Sequence, residues 1–354
     1  MYYYILYAVL AFLLSFIPAY IVFPRFIRKM KQLKNTGRDV NKRDKPEIPE
    51  MGGIVCVFSF SLAMFIIAGL ASLLNQHEDI ILPLQAAMTV FIAAAIIGFI
   101  DDIGLLSRRR KAALIIFAAA PMVFLRPASP RLDLILGTIN FTGFSPWGFD
   151  LLLLLFWALI VPLGIMASAN AFNMAAGYNG LESGIAIITS SFMALITLIK
   201  GANHGSTLIF LGLAGAATAL WVFNRFPSKV FVGDIGTLGF GATYAVGAII
   251  GNVAIYAVIA IIPMFFEFFS TVHYTFIKRI ERRTACHNPK IKKDGRIIPP
   301  KGCKYYTLAF YILDRYPDTE KRLVKCILAI YISSGLIALL LVCLQIDPNS
   351  VLGR

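Results

Sequence analysis

Long apolar stretches alternate with short polar clusters along almost the whole chain. Runs near 20 residues lie at about 3–24, 51–73, 80–100, 149–168, 182–200, 206–223, 253–274 and 326–346, with shorter ones at 112–125 and 237–251. Stretches of this length fit membrane-spanning α-helices; transmembrane β-strands are about half as long and alternate in polarity. Only helices and closed barrels satisfy every backbone polar group in lipid. The pattern therefore predicts an all-α integral membrane protein, one polytopic domain over 1–354 with about ten transmembrane helices. Between the fourth and fifth runs, residues 126–148 alternate weakly and carry glycine turns, which predicts a small hairpin outside the membrane. Between the last two runs, 275–325 forms the largest soluble loop.

Composition agrees: 58% of the 354 residues are hydrophobic and 15% charged, and the mean hydropathy is +0.75. The first run lacks a basic region ahead of it, so it reads as a transmembrane helix rather than a cleaved signal. The net charge of +14 would suggest nucleic acid in a soluble protein. Here the distribution of the basic residues explains it, and no nucleic-acid partner is expected. Nine Lys/Arg lie in 25–45, four in 108–111, two in 225–229 and fourteen in 278–325, against four on the opposite side of a ten-span topology. The positive-inside rule then puts these loops in the cytoplasm and both termini outside. Cys286, His287 and Cys303 have poor spacing for zinc and lack a fourth ligand.

On this topology three polar clusters end apolar runs on one face. Asp101-Asp102 closes the third run, just before Ser107-Arg108-Arg109-Arg110-Lys111. Adjacent carboxylates near a bilayer are costly and repel, so a divalent cation or a shared proton is expected beside them. Asn170 and Asn173 share a helical face, and Gly177 and Gly180 bracket Asn179 in a tight turn. Asp234 sits in the glycine-rich Phe231-Val232-Gly233-Asp234, where an acid also suits a helix start. A fourth segment, Ile48-Pro49-Glu50-Met51-Gly52-Gly53, is stiffened by proline and then open to close backbone approach. In the basic loop, His287, Asn288, Lys290, Lys292 and Lys293 are suited to phosphates. Glu267 is the one acid well inside a run, the placement a proton-coupled transporter would use.

These clusters, in this order, resemble the polyprenyl-phosphate N-acetylhexosamine-1-phosphate transferases, a membrane family that moves a sugar phosphate from a UDP-sugar onto a polyprenyl phosphate. The resemblance covers about residues 25–300. It rests on Ile48-Pro49-Glu50, on Phe99-Ile100-Asp101-Asp102 with Lys111 ten residues after Asp101, on Asn170 through Glu182, and on Val230 through Asp234. The dolichyl-phosphate GlcNAc-1-phosphotransferase branch is the most similar. Ala176 and Asn179 stand where the phospho-MurNAc-pentapeptide transferases usually carry acids, and Ala285-Cys286-His287 replaces a basic triplet of the eukaryotic members. The first departure argues against the peptidoglycan branch; the second, in a chain shorter than typical eukaryotic members, suggests an archaeal-type enzyme.

The resemblance implies that Asp234 and Asn173 bind Mg²⁺, with Mn²⁺ as a substitute. It implies that Glu50, Asn179 and Phe231 hold the uridine, with Phe231 stacked on the base. Lys111, together with Asn170, His287 and Lys290, would hold the rest of the substrate, and Asp101 and Asp102 would be catalytic. The implied partners are a UDP-sugar such as UDP-GlcNAc and a polyprenyl or dolichyl phosphate, with a homodimer kept open. The active site would face the cytoplasm, in the cell membrane of an archaeon or the endoplasmic reticulum of a eukaryote. The competing readings are transfer of another UDP-sugar, phospho-MurNAc-pentapeptide included, and a non-catalytic transporter or lipid-binding membrane protein.

Overall fold

Nearly every apolar run folds as helix in the computed structural model, which describes residues 2–74, 78–104, 108–146, 148–274 and 289–345. In chain order the helices are α1 (Tyr2–Gln32), α2 (Gly53–Leu73), α3 (Glu78–Asp102), α4 (Arg108–Leu114), α5 (Ala120–Leu125), α6 (Leu151–Leu155), α7 (Val161–Met174), α8 (Leu181–Lys200), α9 (His204–Asn224) and α10 (Gly233–Ile250). They continue with α11 (Ala254–Ala260), α12 (Phe265–Val272), α13 (Leu308–Arg315) and α14 (Glu320–Gln345). Seven helical stretches are long and apolar enough to cross a membrane: α1, α2, α3, the Leu151–Met174 stretch that ends in α7, α8, α9 and α14.

The other three runs are helical but shorter or interrupted. The stretch through α4 and α5 tightens over Ile115–Ala119, ahead of Pro121. Ile262–Met264, with Pro263, separates α11 from α12. The 18-residue α10 is the centre of the bundle: every residue from Ile235 to Ile250 is buried. After Asp234 it has no charge and is rich in glycine and alanine, so it is apolar on all sides and packs closely on every side. It lies against α3, α7, α9 and α2.

Three two-stranded antiparallel hairpins punctuate the described helices. The expected hairpin is formed by Arg131–Leu134 and Gly137–Asn140, joined through Ile135-Leu136. The Lys200 ammonium ties it down, donating to Asp133 at 3.0 Å and to the Asn252 carbonyl at 3.2 Å. Partial burial would raise the Asp133 carboxyl, but Lys200 outweighs it and holds the pKa below the ordinary range.

Two smaller hairpins pair Thr36–Arg38 with Glu47–Pro49 and Lys290–Ile291 with Ile297–Ile298. Glu267 has a structural task. It is 5% exposed and accepts the backbone N–H of Leu308 at 2.9 Å, at the start of α13, whose other cap is the Thr307 hydroxyl. A buried acid spent on a helix start removes the main sequence argument for a proton pathway.

Candidate active site

Backbone pairing brings the first and fourth motifs, Ile48-Pro49-Glu50 and Val230 through Asp234, side by side. The N–H of Phe231 donates to the Pro49 carbonyl, Gly52 donates to Phe231 and Gly53 to Val232, each at 2.8 Å. Gly233 then turns the chain at φ +74° into α10. There the two oxygens of Asp102 accept the N–H groups of Asp234 at 2.9 Å and Ile235 at 3.3 Å. An anion at a helix start satisfies orphan donors and meets the positive end of the helix dipole. The approach depends on absent side chains. A Cβ at Gly98 would lie 2.6 Å from the Asp234 carbonyl oxygen, and one at Gly53 would lie 2.3 Å from the Gly236 nitrogen. Thus α3 packs on the backbone of Asp234 and α2 on that of Gly236, in the first turn of α10.

The side chains meet around Lys111, which α4 holds over the end of α3. Its ammonium is 2.5 Å from Asp234 Oδ2 and 2.8 Å from Asp101 Oδ2, and 3.4 Å from Asn173 Oδ1. Asn173 donates its Nδ2 to Asp234 Oδ1 at 2.7 Å and to the Thr237 hydroxyl at 2.9 Å. These bonds turn the amide oxygen of Asn173 toward the position that Asp101 and Asp234 already share.

Burial alone would lower the pKa of Lys111, but Asp234 and Asp101 outweigh it and the pKa is raised. Burial, and then the charge of Asp234, pushes the Glu50 carboxyl upward. Two carboxylates, Asp101 and Asp234, thus face the single ammonium of Lys111. The donor set fits a magnesium ion: two carboxylates and an amide oxygen converge on one cation position, which the ammonium fills, and hard cations take oxygen ligands of this kind.

The remaining expected residues distribute unevenly. Asn170 lies one turn before Asn173 and bonds the Met166 carbonyl at 2.8 Å. Glu50 donates its N–H to the Asn35 carbonyl and rests its carboxylate against Gly37. Phe231 is half-buried. Asn179 belongs to a second network, which composition and spacing gave no sign of. Its Nδ2 donates to Asp39 at 3.0 Å and its N–H to Glu320 at 2.7 Å. Lys42 bridges Asp39 at 2.8 Å and Glu320. Asn41 reaches the Gly177 carbonyl at 2.7 Å, and Glu182 accepts the Gly177 N–H. Asp39 and Glu320 are each under 5% exposed. Lys290 lies on an edge of the small 290–298 hairpin with its side chain exposed, and His287 lies outside the described residues. Thr237, Asp39, Lys42 and Glu320 join the candidate residues only through these contacts.

Residues 84–252, which span the aspartate pair, the asparagine turn and Asp234, match the model of glycosyl transferase family 4. A relative from Saccharolobus solfataricus is 34% identical over 282 residues, 77% of this chain and 80% of its own. The chain belongs to glycosyl transferase family 4. That relative's name describes a UDP-N-acetylglucosamine–dolichyl-phosphate N-acetylglucosaminephosphotransferase. A second family member, named a glycosyltransferase, comes from Methanocaldococcus jannaschii and is 30% identical over 95% of both chains. A phospho-N-acetylmuramoyl-pentapeptide-transferase of Hydrogenobaculum is 29% identical over 72% of this chain and 74% of its own.

Proposed function

We propose that this family 4 member transfers N-acetylglucosamine-1-phosphate, or a related sugar-1-phosphate, from a UDP-sugar to a polyprenyl or dolichyl phosphate and releases UMP. One observation carries the reading: Asp101, Asp234 and Asn173 converge on a single cation position, filled by the Lys111 ammonium, at the end of apolar helices. Phosphoryl transfer needs positioning and charge neutralisation more than covalent help from the protein. An oxygen of the lipid phosphate attacks the sugar-linked phosphorus, the bond to the bridging oxygen breaks, and UMP leaves with the electron pair.

In this reading Asp234 and Asn173 would hold Mg²⁺, with Mn²⁺ as a substitute. Bound there, the ion would supply positive charge to offset that of the diphosphate and of the leaving UMP. Lys111, once released from its carboxylates, contacts a substrate phosphate. Asp101 faces the same position and orients the lipid phosphate or accepts its proton. Asp102 acts one step back, holding the backbone that carries Asp234. Phe231 offers a flat face to the uracil, with Glu50 on the adjoining segment and Asn179 offering an amide edge. UMP release from a panel of UDP-sugars, with polyprenyl phosphate and Mg²⁺ present, tests the proposal. Expected is turnover with UDP-N-acetylglucosamine that stops on chelation; no UMP from any UDP-sugar would sink it.

The basic asymmetry of the loops supports ten passes with the site on the cytoplasmic face, where nucleotide sugars are made. Single cysteines in a cysteine-free background should react with an impermeant reagent from outside at position 140 and from the cytoplasm at positions 43 and 110. Labelling of position 140 from the cytoplasmic side would overturn this topology.

A further inference from the structure

A cavity of about 530 Å³ opens between the end of α9, the segment that follows it and the first turns of α14. One part of its wall is apolar, built from Trp221, Phe226, Val324 and Leu328. The other part is Arg225, Lys229, Lys321 and Lys325, all exposed. No acidic side chain lines it, and among the described residues none of these four cations makes an ion pair. Lys42, Lys111 and Lys200, by contrast, are each matched with a carboxylate. The Arg225 guanidinium lies 5.2 Å from the centre of the Trp221 ring, which holds it at the cavity wall.

The position and the order of these residues narrow the ligand. Arg225 follows the last residue of one membrane-spanning helix, and Lys321 and Lys325 occupy the first turns of another. Lys321 and Lys325 are one turn apart on α14, as are Val324 and Leu328. The wall therefore passes from cationic to apolar in the direction in which α14 enters the span. Four like charges around one space repel unless an anion sits among them. At a membrane boundary, an anionic head with an apolar tail matches both halves of the wall. The cavity is lined by α9, α14, the segment after α9 and Asn179 from the turn before α8; it shares no residue with the Lys111 cluster on α3, α4, α7 and α10.

We propose that this cavity binds one anionic phospholipid of the surrounding membrane, with its phosphodiester among Arg225, Lys229, Lys321 and Lys325 and an acyl chain along Val324 and Leu328. The bound lipid also braces the candidate active site. Glu320, next to Lys321, accepts the N–H of Asn179, and Asn179 itself borders the cavity. A lipid that steadies the first turn of α14 steadies the turn that presents Asn179. This second step rests on the transferase reading; the binding site does not.

Native mass spectrometry of the whole purified chain from mixed micelles tests the site directly. With dioleoylphosphatidylglycerol, one lipid should stay bound; with dioleoylphosphatidylcholine, none. At roughly 1 kcal/mol per basic residue near an anionic headgroup, Lys321→Gln with Lys325→Gln should weaken retention about thirtyfold. Arg225→Gln with Lys229→Gln should do the same, and Lys321→Arg with Lys325→Arg should restore it. Equal retention of both lipids, unchanged retention in both glutamine pairs, or displacement of the lipid by an equal concentration of glycerol 3-phosphate would overturn the assignment. In the UMP-release assay, phosphatidylglycerol should raise kcat/KM in the original chain and not in the glutamine pairs. Lipid retention in a protein that releases no UMP would count against the transferase reading alone.

Discussion

Asp234→Asn should lower kcat/KM for UMP release by about a thousandfold, the upper range for removing one preorganised charge-stabilising group, or about 4 kcal/mol of transition-state stabilisation. The substitution keeps the shape of the side chain and an oxygen that can still accept from Asn173, now 2.7 Å away. It removes the negative charge that faces Lys111 at 2.5 Å and would face Mg²⁺ in the proposed reaction. Asp101 would then be the only carboxylate on that cation position, and the neutral amide contributes far less to holding a divalent ion. The backbone of Asp234 stays in place, because Asp102 binds its N–H and Gly98 packs against its carbonyl. The variant should therefore elute as a folded protein in detergent. Turnover measured over a series of Mg²⁺ concentrations decides the matter. Near-original turnover at limiting Mg²⁺ would show that Asp234 is not a ligand.

The second large effect separates two neighbours that the sequence presents as a pair. Asp101 contacts Lys111 at the proposed reacting centre, whereas Asp102 binds the backbone of Asp234 and Ile235. Asp101→Asn should therefore lower kcat by about a hundredfold or more while UDP-sugar binding changes only a few-fold, since it removes an interaction that matters mainly in the transition state. Asp102→Ala should lower both. It leaves two N–H groups at the start of α10 without an acceptor, at about 1–3 kcal/mol each where they are buried, and it lets Asp234 shift. Asp102→Asn should recover part of the loss, because its carbonyl can still accept from one of them. Calorimetric binding of the UDP-sugar, set beside single-turnover rates, separates the two patterns. An identical split between binding and turnover in Asp101→Asn and Asp102→Ala would remove the distinction.

Much of this molecule is legible along the chain because the relevant physics is local. A run of apolar residues long enough for a bilayer announces a helix wherever it packs, and polar clusters that end such runs announce chemistry at a membrane face. The hairpin at 131–140 follows from short-range alternation and turns, and the four motifs keep their family order whatever the packing. Asp101, Lys111, Asn173 and Asp234 could thus be singled out in advance. Their grouping around one cation position, which separations of 61 and 123 residues must close, came from the tertiary structure.

Partner choice is where reading along the chain stops. Nothing near Asn179 in sequence points to Asp39 or Glu320, which lie 140 and 141 residues away. Nothing near Glu267 points to the N–H of Leu308. The apolar content of α10 told of a helix, but its central position was decided by glycines that let α2 and α3 approach its backbone. The basic residues after α9 and at the start of α14 read as topogenic charge in a linear count, and only the packing of those two elements encloses a cavity between them. Hydrophobic period and chain punctuation are properties of neighbours in sequence. Which acid receives a lysine and which receives a backbone amide is set by angstrom-scale distances between segments, and tertiary packing alone determines those.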